Sequence, residues 1–175
     1  IPDQLTLSTL VKILQNLLAE GVPLKDMRTI LETLSEGASF SKDAEKLTAL
    51  VRIKLGRLII HEINEPDNAL EVMTLEPSLE QLLNDLISNA QSIEDVALEP
   101  NLSQSFFSSI SDVVEEMEKE EKYPVLVVSP TIRSWLARLL KRAKQELSVL
   151  SYREIPDDQS IRIVQTIELN ETSEE

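Results

Sequence analysis

The chain has 175 residues, with 31 acidic against 17 basic side chains and a formal net charge of −14. Hydrophobic residues make up 42% and aromatics 3%, with one His and no Cys. That length supports one large domain or two small ones, the acidity argues against binding a phosphate backbone, and the lack of Cys removes disulfides, thiolate nucleophiles and Cys-based zinc sites.

The first third reads as helix. Leu7, Leu10, Val11, Leu14, Leu17 and Leu18 recur at helical spacing and predict one wide inward stripe. Thr6 or Ser8 can cap its start, and Gly21 suits the left-handed residue that ends it. Pro23 then fits a first helical turn, with Met27, Ile30, Leu31 and Leu34 continuing the stripe to Gly37. A third helix is expected from about Lys42 to Ile63, turning Leu47, Leu50, Val51, Leu55, Leu58 and Ile59 inward.

A turn cluster, Glu65-Pro66-Asp67-Asn68, changes the pattern. Leu70 to Leu75 alternates as a strand, and Pro77 opens a helix carrying Leu79, Leu82, Leu83, Leu86 and Ile87. Ser88 to Pro100 reads as a long polar loop. The helix after it turns Leu102, Phe106, Ile110, Val113, Val114 and Met117 inward and ends in the charged run Glu115 to Lys122. Tyr123 to Val128 has the continuous apolar character of a strand buried on both faces. Ser129-Pro130 reads as N-cap and first turn of a helix that buries Ile132, Trp135, Leu136, Leu139 and Leu140. Val149 to Ile155 is a further strand, completing a βαβ unit with a right-handed crossover. Pro156 to Gln159 is a turn, Ile161 to Leu169 a last half-buried strand, and Glu171 to Glu175 an acidic tail. The fold class is therefore α+β/α/β: a helical subdomain over residues 1–64, an α/β subdomain with a βαβ unit and a mixed sheet over 65–170, and a tail at 171–175.

Catalytic signals are few. His61 is the sole imidazole, so several histidines cannot share a metal, and no Gly-x-Ser-x-Gly elbow or Gly-rich phosphate loop is present. Asp157 and Asp158 read as solvated turn formers, and the Glu115 to Glu121 run as a solvated helix face. No cofactor is implied. A carboxylate-metal hydrolase would need convergent acids in a pocket, and a winged-helix-like regulator with a receiver-like domain would need acids clustered at strand ends.

Two surfaces stand out. One is the basic face Arg133, Arg138, Lys141, Arg142 and Lys144, readable either as charge complementing a helix C-terminus or as a dock for an acidic partner. The other is the mixed-sign charge of the first helices, including Asp26, Arg28, Glu32, Asp43 and Arg52, which either solvates those helices or gives register to subunit contacts.

Val11-Lys12-Ile13-Leu14-Gln15-Asn16-Leu17-Leu18-Ala19-Glu20 followed by Val22 to Leu34 resembles the large export-gate protein of bacterial flagellar and type III secretion systems. The later Lys42-Asp43, Leu47-Thr48, Val51-Arg52 and Leu55-Gly56-Arg57 fit the same family, as do Pro124 to Pro130, Ile132-Arg133, Leu136-Ala137-Arg138 and Val149 to Asp158. Ser88 to Lys122 carries no motif of that family. The resemblance implies a non-enzymatic fragment of a multi-pass protein at the cytoplasmic face of the bacterial inner membrane. It further implies a nine-membered ring; on the charge reading, the mixed-sign helices would supply its contacts through Asp26, Arg28, Glu32, Asp43 and Arg52, and the basic face Arg133, Arg138, Lys141 and Arg142 would hold a partner. Implied partners are other copies of the chain, export chaperone–substrate complexes, the export ATPase stalk protein and other export-gate membrane proteins, with no nucleic acid. The Ile161-Arg162-Ile163-Val164 strand after Pro156-Asp157-Asp158 looks more like flagellar members than injectisome ones; an injectisome gate is the alternative, and a winged-helix-like regulator the remote one.

Overall fold

The computed structural model describes residues 5–90 and 96–169. Two compact units emerge: one holds the described residues up to Asp67 together with Arg153–Asp158, the other Asn68–Tyr152 and the described residues from Gln159 onward. The turn cluster at Glu65 to Asn68 thus falls at the first boundary. Arg153–Asp158, within the stretch read from sequence as α/β, belongs to the helical unit.

The helical unit contains α1 (Leu7–Ala19), α2 (Met27–Gly37), α3 (Ala44–Lys54) and α4 (Gly56–Ile63). Thr6 caps α1, its Oγ1 accepting from Thr9 N at 3.2 Å. Gly21, at φ +73°, closes α1 through Gly21 N to Leu18 O and Val22 N to Leu17 O, both 3.0 Å. Pro23 is not in the first turn of α2. Asp26 takes the capping position instead, accepting from Thr29 N at 3.2 Å and Thr29 Oγ1 at 2.7 Å, so the helix starts at Met27. The expected single third helix is two, interrupted at Leu55. Ile13, Leu17, Ile30, Leu34, Leu47, Val51 and Leu55 are buried, and Asn16 Nδ2 donates to Thr48 Oγ1 across α1 and α3 at 3.2 Å. The α1 stripe is narrower than its periodicity suggested: Leu7, Val11 and Leu18 face solvent, as does Leu50 on α3.

The second unit is a four-stranded sheet in the order β3-β2-β1-β4, made of β1 (Leu70–Leu75), β2 (Val125–Val128), β3 (Ser148–Ser151) and β4 (Ile161–Ile167). Every pairing is parallel, with Met73 opposite Leu126, Leu126 opposite Val149 and Leu70 opposite Ile161, so the sheet is not mixed. The consecutive strands β1, β2 and β3 are joined by helical crossovers rather than hairpins. These crossovers are α5 (Pro77–Asn89) and α6 (Pro100–Lys119) between β1 and β2, and α7 (Arg133–Arg142) between β2 and β3. Leu79, Leu83, Phe106, Ile110, Trp135 and Leu136 of these helices share one core with Met73, Leu126 and Val149 of the sheet. Leu82 and Leu86, read as inward, are partly exposed.

Three local expectations change. Ser129 does not cap α7; its hydroxyl donates to Asn84 Oδ1 at 2.5 Å, and the helix begins later, after Ile132. The third strand stops at Ser151, where Tyr152–Glu154 form a single 3-10 turn. Within the expected Ser88 to Pro100 loop, α5 runs on to Asn89 and Pro100 already opens α6; residues 91–95, like the acidic tail, lie outside the described residues.

Two more helices end as α1 does, without glycine. Glu121 (φ 59°) follows α6, with Lys122 N to Met117 O at 2.9 Å; Lys144 (φ 57°) follows α7, with Gln145 N to Leu140 O at 3.0 Å. A Cβ in that left-handed region costs about 1 kcal/mol relative to glycine. Glu121→Gly and Lys144→Gly are each expected to raise stability in urea unfolding by about 1 kcal/mol; no gain would mean those turns are not held left-handed in solution.

Candidate functional site

The charges singled out from the sequence divide into three physical roles. Asp26 and Asp43 are helix caps: Asp43 Oδ1 accepts from Glu45 N at 2.8 Å to start α3, as Asp26 starts α2. Arg28 and Glu32 form an exposed i,i+4 pair on α2, Nε to Oε1 at 2.9 Å. Such pairs are each worth only about 0 to 1 kcal/mol, which leaves both groups available to another surface.

Arg52 is the exception, and its expected place at a surface contact is corrected. Its side chain is 3% exposed and points into the helical unit. Nε and Nη2 donate to the two oxygens of Glu154, itself 3% exposed, at 2.9 and 3.1 Å, while Nη1 lies 3.4 Å from Glu20 Oε2. The planar guanidinium matches the carboxylate with two parallel bonds, a geometry that Lys could not supply. Glu154 comes from the Arg153–Asp158 segment, whose backbone lies close to the start of α4. A Cβ built on Gly56 would collide with the Glu154 carbonyl oxygen. Glycine at this position is therefore a requirement of close approach.

A second pair holds the same segment from outside: Arg57 Nη1 to Asp158 Oδ2 at 2.9 Å, with both side chains exposed. The hydrogen bond from Arg57, aided by its charge, holds the Asp158 carboxyl below its ordinary value, and Asp158 in turn raises Arg57. Asp158 was read as a turn former and carries this tie as well.

On α7 the basic face loses one member. Arg133 is buried, and its Nη1 donates to Val149 O at 3.3 Å, so it cannot dock a partner. Arg138, Lys141 and Arg142 remain exposed along one side of α7. A charge cluster that sequence reading missed surrounds Glu71 on β1: Lys122 Nζ lies 3.2 Å and Arg162 Nη1 3.8 Å from its oxygens. Lys122 also reaches Glu120 at 2.8 Å, and these carboxylates raise its pKa. Their separation in sequence hid them, because only strand pairing brings Glu71 beside Arg162.

His61 is exposed on the last turn of α4. Among the described residues no group of three or more His, Asp or Glu converges as metal ligands would, and no helix is long and apolar enough to cross a membrane.

Comparison with known proteins places this arrangement. The profile of the FHIPEP family matches residues 1–160. The chain belongs to the FHIPEP family. It is 40% identical over 167 residues to the flagellar biosynthesis protein FlhA of Salmonella typhimurium, covering 95% of this chain and 23% of that protein. The FlhA of Proteus mirabilis is 41% identical over the same length and share. The chain thus spans about a quarter of the length of these flagellar relatives. Among solved structures, the Chlamydia pneumoniae CdsV protein superposes with a TM-score of 0.84 at 27% identity, over 95% of this chain and 48% of that one. The nonameric EscV cytosolic domain from a type III secretion system gives 0.80 at 25%, over 94% and 48%. The export-gate resemblance read from the sequence therefore stands, and the α/β architecture with a helical unit is the family's own.

Removing one partner from the buried pair takes the two parallel hydrogen bonds from the charge that remains. Arg52→Met and Glu154→Leu are each expected to destabilise the chain by about 3–5 kcal/mol, and the paired Arg52→Met/Glu154→Leu variant to recover much of that loss. Urea unfolding of the three variants checks this, and additive losses would show that the pair is not coupled. Asp158 has a lowered folded pKa, so its contribution is present above its unfolded value of 3.8 and is lost as pH falls through the lower folded value. The stability difference between the parent chain and Asp158→Asn is thus expected to be constant near neutral pH and to vanish in acid.

Proposed function

We propose that this chain is a non-enzymatic docking and ring-assembly module of a flagellar type III protein export gate, at the cytoplasmic face of the bacterial inner membrane. The observation that carries the flagellar reading is the 40–41% identity to flagellar FlhA proteins across 95% of the chain, against 25–27% for the secretion-system structures it superposes on. An injectisome gate is the second reading, favoured only by those structural neighbours.

Three kinds of partner follow from this reading. Further copies of the chain come first, since the EscV cytosolic domain is nonameric. A further protein partner comes second, since CdsV has been solved in complex with CdsO; on this reading it is the export ATPase stalk protein. Chaperone–substrate complexes and other membrane components of the gate come third, on the family's role in export. The exposed charged side chains on the surfaces of this reading are Arg28 and Glu32 on α2 and Arg138, Lys141 and Arg142 on α7. Asp26 and Asp43 contribute by fixing where α2 and α3 begin.

In the intact protein in its own cell, Arg138→Glu/Arg142→Glu is expected to cut secretion of flagellar proteins and swimming while leaving the cellular level of the protein unchanged. Reversing exposed charges costs little stability, so a loss of export reports a lost partner contact. Unchanged export would remove α7 from the proposed docking surface. Unchanged flagellar export together with loss of virulence-type secretion would favour the injectisome reading.

A further inference from the structure

The two most exposed large hydrophobic side chains among the described residues, Phe40 at 89% and Leu7 at 75%, both belong to the helical unit. They lie on different elements. Leu7, Val11 and Leu18 recur at helical spacing along one face of α1, with half-buried Leu14 between them, and all three face solvent. A surface helix ordinarily turns polar groups outward, yet Lys12 is the only charged side chain between Leu7 and Ala19. Phe40 sits at the corner between α2 and α3. Hydrogen bonds from Phe40 N and Ser41 N to Gly37 O, both 3.0 Å, hold the corner in shape. Partly exposed Leu50 packs close to Gly37 at the same corner. The row lies on α1 and the corner between α2 and α3, so the two patches belong to different elements.

A contact between identical patches closes once two copies have met, so it cannot by itself build a ring with an odd number of members. Such a ring needs two unlike patches that fit each other. We infer that the Phe40 corner of one copy seats on the Leu7–Val11–Leu18 row of the next, as the apolar anchor of a head-to-tail contact. This rests on the ring-forming reading proposed above, and it moves the main anchor from ion pairs to one aromatic side chain. An exposed, backbone-fixed Phe loses little conformational freedom on binding, the property that makes aromatic residues frequent anchors.

The absence of native cysteine allows a direct test. Ser39→Cys and Gln15→Cys chains, which keep Phe40 and the Leu7–Val11–Leu18 row and carry the thiol on exposed positions beside them, are each checked for folding by circular dichroism, mixed at high concentration and treated with a short bismaleimide. The expected product is a dimer joining position 39 to position 15, absent from either pool alone, and the doubly substituted chain is expected to give a ladder of higher oligomers. In parallel, Phe40→Ala is expected to weaken self-association in sedimentation by at least about tenfold, at low and high salt alike. Association without the 39–15 product, or with 39–39 or 15–15 products in its place, overturns the head-to-tail contact and leaves the ring reading intact. No association at any concentration or salt overturns both.

Discussion

The buried Arg52 guanidinium is the constraint on which the helical unit depends. A charge taken out of water costs several kcal/mol, and Glu20 meets one side of it at 3.4 Å, leaving the fork of Nε and Nη2 for a second carboxylate. Glu154 supplies it, from a segment that follows Arg52 by about a hundred residues of chain. Gly56 lets the backbone of that segment come close, and Asp158 fastens its far end to Arg57. The helical unit is thus discontinuous in sequence, and Arg153–Asp158 is as much a part of it as α3 is. The same segment also connects β3 to β4, carrying the chain from one edge of the parallel sheet to the other.

This tie reorders the meaning of the chain's charges. A formal net charge of −14 suggests broad surface acidity. In the structure several of the charged groups have internal duties: Asp26 and Asp43 start helices, Glu76 caps α5 by accepting from Leu79 N, and Arg52 and Arg133 serve buried acceptors. What remains outward on the singled-out elements is a short exposed ion pair on α2 and a basic side on α7. Against that background the apolar side chains left in solvent on α1 and at Phe40 are more informative than the ion pairs, because exposure of apolar surface is unfavourable in an isolated unit.

Much of the fold was legible in the sequence, and the failures have physical causes. Gly21 was readable as a helix stop because only glycine enters the left-handed region without cost. Glu121 and Lys144 stop helices in the same conformation and were invisible, since nothing in their chemistry announces it. Ser129-Pro130 imitates a helix start, yet the hydroxyl was taken by Asn84, a partner that only tertiary packing provides. Periodicity found the inward face of α1 and overstated its width, because an apolar side chain in solvent looks the same in sequence as one facing a core. Arg133 and Arg52 were misread for a related reason: sequence reports charge, and burial with a distant acceptor is decided elsewhere in the chain. The family resemblance was readable in its longest ungapped block, Val11 to Leu34, where side-chain identity itself carries the signal.

The central claim, that Arg153–Asp158 completes the helical unit through Arg52, is tested most directly by removing that segment. A peptide of residues 5–67 is expected to unfold without a cooperative thermal transition, because a domain this small is marginal and would lack the Glu154 carboxylate that accepts from Nε and Nη2 of buried Arg52. The same residues joined by a flexible linker to Arg153–Asp158 are expected to regain a cooperative transition followed by far-UV circular dichroism. A cooperative and equally stable transition in the shorter peptide would contradict the account.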